Sequence, residues 1–112
     1  MKQYLDEQQT AKLIELGFEK PKSIIYASAY QEEEGADPDV EYEYAYSIGE
    51  LLSFIPDKIE SEEDDFVATF QMTAGWEIYY TTYSDIFYYF NNVELVDALF
   101  DMVVKLKEEG KI

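Results

Sequence analysis

Residues 93–108 read VELVDALFDMVVKLKE, and this stretch is the clearest predicted element of the chain. Its apolar side chains recur at helical spacing and form one stripe, made of Val96, Leu99, Phe100, Val103 and Leu106. Asn91 with Glu94 is expected to cap the start of this helix, and Gly110 follows its end. An amphipathic helix buries its stripe against another layer, so the rest of the chain must provide that layer.

Two more helices are expected, because two capping boxes precede apolar residues. Asp6 and Gln9 form the first box, before a helix over residues 7–16, and Ser47 and Glu50 form the second. The second helix should be short, since a proline follows it closely.

Several runs have the composition and length of β-strands: residues 23–30, 40–46, 66–73, 76–83 and 86–90. Residues 40–46 alternate valine or tyrosine with glutamate or alanine, which indicates a strand with one buried face. The first two runs flank a loop and are expected to pair as an antiparallel hairpin. We therefore predict one α+β domain over residues 1–112, with an antiparallel sheet of about five strands packed against helices, in the order α-β-β-α-β-β-β-α.

The composition excludes several classes of protein. The chain has 112 residues but neither histidine nor cysteine, which excludes disulfide scaffolds, zinc–thiolate sites and catalysis by histidine. Eight lysines, no arginine and a net charge of −17 argue against direct binding of nucleic acid. No apolar run approaches about 18 residues and no signal-peptide pattern begins the sequence, so we expect no membrane span and a cytoplasmic location.

The negative charge is concentrated in the middle third of the chain. Residues 31–65 carry fourteen carboxylates and one lysine, a net charge of −13. Such a field attracts a basic surface, and it can imitate the charge of a nucleic-acid backbone. The expected partner is therefore another protein, and a basic protein that handles nucleic acid fits this field. Solubility alone is the alternative role of the charge. The predicted partner-binding residues are Glu32, Glu33, Glu34, Asp37, Asp39, Glu62, Glu63, Asp64 and Asp65.

No enzyme, cofactor or metal is expected. Asp37, Asp39 and Glu41 have the spacing that begins an EF-hand loop, but the glycine and the glutamate which that loop needs further on are absent. A looser calcium site among residues 62–65 stays open. Catalysis by paired carboxylates is the remaining chemistry, and in a chain with 25 acids suitably spaced pairs arise by chance.

The tyrosines offer a second kind of contact. In the pairs Tyr79–Tyr80 and Tyr88–Tyr89, adjacent rings should point to opposite faces of a strand. If one sheet face is open, its tyrosines are anchors for a partner or for a second copy of the chain. Self-association through an aromatic sheet face or edge is therefore the alternative function, and burial of both faces is the alternative structure.

Three segments, YSIGELLSFIP at residues 46–56, ELVDALFDMVVKLKEEGKI at residues 94–112 and ELGFEKPKS at residues 15–23, resemble a group of small acidic proteins from bacterial prophages and other mobile elements. The resemblance implies an accessory protein of a phage or mobile element. It implies no activity and no site residues.

Overall fold

The computed structural model describes residues 1–30, 35, 39–59, 66–72, 75–81 and 86–112. These residues form helices and strands in the order α1 (Glu7–Glu15), β1 (Ser23–Tyr30), β2 (Asp39–Ala45), α2 (Ile48–Phe54), β3 (Lys58–Ile59), β4 (Phe66–Met72), β5 (Trp76–Thr81), β6 (Ile86–Asn92) and α3 (Leu95–Glu108). The α+β class is confirmed, and the order matches the prediction apart from the additional strand β3.

The strands are divided between two antiparallel sheets. β1 pairs with β2 in a two-stranded sheet, and the other strands form a four-stranded sheet in the order β3-β4-β5-β6. The expected single sheet of about five strands is therefore not confirmed. The alternation of residues identifies a strand, but it does not specify which other strand will pair with it. β3 was missed because two residues are too few to show a pattern, although Ile59 is only 6% exposed.

The core lies between α3 and one face of the four-stranded sheet. Ile78 and Tyr80 of β5 are fully buried there, together with α3 residues of the predicted stripe, Val96, Leu99, Val103 and Leu106. Phe100, the other member of the predicted stripe, packs against the edge of this core and is partly buried. The periodicity of α3 therefore locates the core correctly.

Both predicted capping boxes are present. In α1, the Asp6 carboxylate accepts a hydrogen bond from Gln9 N at 2.8 Å, and the Gln9 side chain accepts one from Asp6 N at 3.0 Å. In α2, Ser47 Oγ accepts from Glu50 N at 3.2 Å, and the Glu50 carboxylate accepts from Ser47 N at 3.4 Å. These bonds occupy N–H groups that a helix start leaves without partners.

The predicted cap of α3 is wrong at Asn91. β6 continues to Asn92, so Asn91 lies in a strand, opposite Glu77 of β5. Glu94 is the residue before the helix, but its side chain makes no capping bond and instead accepts a hydrogen bond from Lys2 N at 2.7 Å.

A small polar cluster holds α1 against α3. Asp97 Oδ1 lies 2.8 Å from Lys2 Nζ and accepts a hydrogen bond from Gln9 Nε2 at 2.9 Å. Burial raises the pKa of the Asp97 carboxyl, but the hydrogen bonds from Lys2 and Gln9 and the charge of Lys2 outweigh it, so the pKa is lowered. α1 therefore has a fixed position on the core.

The β1–β2 hairpin extends away from the core. The Cα radius of gyration is 18.0 Å, whereas a compact chain of this length has about 13 Å. The expected burial of one face of β2 is wrong at Tyr42 and Tyr44, which are 49% and 46% exposed. Ala45 and Tyr46, at the base, are buried. Residues 24–27 and 41–44 of the hairpin are exposed on both sides of the ribbon.

We expect the substitution Leu99→Ala to lower the free energy of unfolding by about 2–5 kcal/mol, because it leaves a cavity in the core between α3 and β5. Leu52→Ala is the matched control, since Leu52 is 41% exposed on α2 while Leu99 is fully buried. Urea denaturation followed by tryptophan fluorescence measures both. Equal losses in the two variants would contradict this description of the core.

A projecting β-arm as the candidate functional site

The hairpin made of Ser23–Tyr30 and Asp39–Ala45, here called the arm, has two chemically different faces. Residues directly opposite each other on antiparallel strands share a face. Ile24 is opposite Tyr44 and Ala27 is opposite Tyr42, and these four residues form the apolar arm face. Tyr26 is opposite Glu43 on the other side, where Glu41 also lies, and these three residues form the acidic arm face. The register shifts by one residue at Ile25, as at a β-bulge, so that Tyr26 is opposite Glu43 and not opposite Tyr42.

The apolar arm face lies open to solvent. Ile24 is 51% exposed, and the rings of Tyr42 and Tyr44, with centroids 6.3 Å apart, are about half exposed. A two-stranded ribbon without a covering layer is at best marginally stable in water. Apolar side chains gathered on such a ribbon gain free energy when a partner covers them. The arm is therefore the candidate interaction site.

The backbone of the arm offers a further kind of contact. Each arm strand is paired on one side only, because no third described strand joins this sheet. The N–H and C=O groups on the outer sides are then available to an added strand.

The arm is attached to the core through the carboxylate of Glu50. Its Oε2 accepts a hydrogen bond from Lys22 N at 3.0 Å, and its Oε1 accepts from Ser23 N at 3.2 Å, from the Ser23 hydroxyl and from Ser47 N. Burial raises the pKa of Glu50, but the hydrogen bonds from Ser23, Lys22 and Ser47 outweigh it and lower the pKa below its usual value. One ionised group thus joins the start of β1 to the start of α2.

The open face of the four-stranded sheet carries a second aromatic group. The rings of Tyr79 and Tyr89 stack with centroids 6.0 Å apart. Tyr89 donates a hydrogen bond from its hydroxyl to Glu77 Oε1 at 2.7 Å, and the Tyr89 side chain is 48% exposed. This face is a second surface for contact.

The other member of each tyrosine pair faces the core. Tyr80 is fully buried and donates its hydroxyl to Pro56 O, and its pKa is raised to about 12 by burial and by the charge of Asp57. Tyr88 is partly buried and packs edge-on against Tyr80, at a centroid distance of 6.3 Å. Its φ of 54° lies in the left-handed region, at the bulge of β6. The expected opposite orientation is confirmed for both pairs.

Most of the predicted partner-binding residues lie outside the described residues, namely Glu32, Glu33, Glu34, Asp37, Glu62, Glu63, Asp64 and Asp65. Asp39 is described as the first residue of β2, opposite Tyr30. In the described part of the chain, no three carboxylates lie close enough to hold a metal ion. Residues 62–65, for which a looser calcium site was left open, also lie outside the described residues.

Tyr42 and Tyr44 were expected on one face of a strand, but the exposure of the apolar arm face was not predicted from sequence. A signal for it exists, since Ile24, Ile25 and Tyr26 are consecutive large apolar residues at the start of β1. Consecutive side chains on a strand point to opposite faces. Such a run therefore predicts apolar groups on both sides of a ribbon.

Comparison with protein-family models, curated proteins and solved structures gives no match to this chain. The resemblance to proteins of prophages therefore stays a prediction. Within the described residues, no helix combines the length and the hydropathy that crossing a membrane requires.

We expect Glu50→Gln to lower the free energy of unfolding by about 1–2 kcal/mol at pH 7. The amide nitrogen of glutamine cannot accept a hydrogen bond, so one of the N–H donors would lose its partner. The pKa of Glu50 is lowered in the folded chain, so its contribution is present above the usual glutamate pKa and is lost as pH falls through the lowered value. The difference between wild type and Glu50→Gln should therefore narrow at about pH 3.

Urea denaturation at both pH values measures this difference. Glu15→Gln is the control, because Glu15 is exposed at the end of α1 and should change stability by less than about 0.5 kcal/mol. A difference that stays constant with pH would contradict the role of the ionised Glu50 carboxylate.

Proposed function

We propose that this chain is a non-enzymatic interaction protein, which uses its arm to bind a basic surface of another protein. The observation that carries the proposal is the exposure of Ile24, Tyr42 and Tyr44 on one face of a projecting ribbon, with Glu41 and Glu43 on the other. One element thus presents apolar anchors and negative charge together.

The two kinds of side chain would act at different stages of binding. Negative charge accelerates the encounter with a basic surface over distances near the Debye length, and salt weakens this effect. Tyrosine rings that become buried in the complex slow its dissociation, since tyrosine is enriched among the residues that dominate interfaces. The rate of association should therefore depend on charge, and the lifetime of the complex should depend on the apolar arm face.

The acidic middle third supports a more specific version of the proposal. Residues 31–65 carry a net charge of −13, which suits a protein that competes with nucleic acid for a basic groove. In this version the chain is a cytoplasmic accessory protein of a phage or mobile element, and its partner is a protein that handles nucleic acid. The absence of enzymatic activity is part of the same proposal.

The test is a tagged pull-down from host lysate, washed at low and then high salt, with wild type and variants in parallel. The double variant Ile24→Ser/Tyr42→Ser removes apolar anchors of the arm, and we expect it to lose at least about tenfold in partner retained after the high-salt wash. Ile86→Ser/Tyr89→Ser is the matched control, because this pair is 60% and 48% exposed on β6, away from the arm.

A third variant tests the charge. Neutralising residues 32–34 and 62–65 with glutamine and asparagine should abolish retention of a basic partner at low salt, because it removes seven of the fourteen carboxylates in the middle third. Unchanged retention in this variant, or equal losses in the two serine double variants, would contradict the proposal.

Self-association is the second candidate function, and the unpaired outer sides of β1 and β2 favour it. A dimer held by apolar contacts and backbone hydrogen bonds should persist at high salt, because screening does not weaken them. Sedimentation velocity at low and high salt decides between the candidates. A monomer in both conditions contradicts self-association.

A further inference from the structure

We infer that a cleft between α1 and the base of the arm, here called the basal cleft, binds a partner segment in which apolar side chains are flanked by lysine or arginine. This inference rests on the proposed function, and it specifies the place on the molecule and the chemistry of the bound segment.

The basal cleft has apolar walls on two independent elements. Ala11 and Ile14 of α1 form one wall, and Ile25 of β1 and Tyr44 of β2 form the other. Its volume is about 350 Å³, which lies within the range of about 300–1,000 Å³ that is usual for ligand pockets. Ile14 is 39% and Ile25 is 45% exposed, so large apolar groups face an unfilled space.

Both walls are attached to the core by hydrogen bonds, which favours a cleft that is formed before any partner arrives. Asp97 holds α1 through Lys2 and Gln9, and Glu50 holds the start of the arm. A preformed site loses less conformational entropy on binding than one that must be ordered.

The lining charges of the basal cleft have one sign. Asp6, Glu7 and Glu43 contribute to its lining, and no lysine does. Glu7 and Glu43 are exposed at opposite walls. A cationic side chain on either side of a bound apolar residue would therefore meet a carboxylate, with each exposed ion pair contributing about 0.2–1 kcal/mol.

The same charges disfavour other occupants. A second copy of the chain brings a net charge of −17, which repels these carboxylates. Nucleic acid is repelled for the same reason. The chemistry that complements the cleft is an apolar group between positive charges, carried by a basic protein.

The direct test uses three synthetic hexapeptides and the full ¹⁵N-labelled chain at low salt. Lys-Lys-Leu-Leu-Lys-Lys should shift the amide signals of Ala11, Ile14, Ile25 and Tyr44 in a saturable way. Lys-Lys-Ser-Ser-Lys-Lys should bind at least about tenfold more weakly, because it lacks apolar groups for the cleft. Glu-Glu-Leu-Leu-Glu-Glu should cause no shifts, because its charge is repelled.

Two pairs of variants locate the binding. Ala11→Trp fills the cleft from an exposed position of α1, and it should reduce the affinity for the lysine–leucine peptide at least about tenfold. Gln8→Trp is its control on an exposed position of the same helix that does not line the cleft. Glu43→Gln should weaken binding about two- to fivefold, whereas Glu41→Gln, on the same arm face but outside the cleft lining, should have a smaller effect.

Several results would overturn the inference. Wild-type affinity in Ala11→Trp, equal binding of the lysine–serine peptide, or no binding of the lysine–leucine peptide would each do so. Shifts of the same amides with protein concentration alone would identify a second copy as the occupant and overturn it as well. The proposed function is tested separately, because Ile24 and Tyr42 do not line the basal cleft. The double variant Ile24→Ser/Tyr42→Ser measures how well the arm retains a partner.

Discussion

The position of the arm depends on a single carboxylate. Glu50 accepts hydrogen bonds from the backbone of Lys22 and Ser23 and from Ser47, so it serves the start of β1 and the start of α2 at once. Without it, the first turn of α2 and the entry to β1 would both have N–H groups that lack a partner, and such groups are costly when water cannot reach them. Among the described residues no layer covers the hairpin, so this attachment and the buried Ala45 and Tyr46 at its base determine where the apolar arm face is presented.

Elsewhere in the chain, which has only eight lysines, carboxylates also accept hydrogen bonds from uncharged donors. Asp6 is held by a backbone N–H of α1, and Tyr89 donates its hydroxyl to Glu77. Lys2, in contrast, is used at the polar cluster around Asp97. Because these neutral donors carry no charge, their hydrogen bonds leave the negative charge of the chain uncompensated, and that charge can act on a partner. The architecture and the proposed binding mode are therefore consequences of one composition.

Local features of this fold could be predicted from sequence, and relations between distant segments could not. The stripe of α3 and the capping boxes of α1 and α2 depend on residues three or four positions apart, and a single sequence shows them. Whether Tyr42 and Tyr44 are buried depends on whether another layer of the fold covers them. The alternation of residues along β2 does not show whether such a layer exists. Asn91 has the right spacing for a cap, but pairing with Glu77 of β5 holds it in a strand. The bonds of Glu50 to Lys22 and Ser23 span 28 and 27 positions, so no local pattern could indicate them. For the same reason the basal cleft, which joins α1 to both arm strands, could not be found from the sequence.

Because the arm is joined to the core only at its base, selection for folding and selection for partner binding act on different residues. The buried core residues lie around α3 and β5. The exposed residues of the arm, among them Ile24, Tyr42 and Tyr44, lie outside this core. Lengthening the hairpin, or exchanging its outer side chains, would alter few packed contacts, and surface connections tolerate such changes well. Partner choice could therefore change quickly between related proteins while their cores stayed nearly constant.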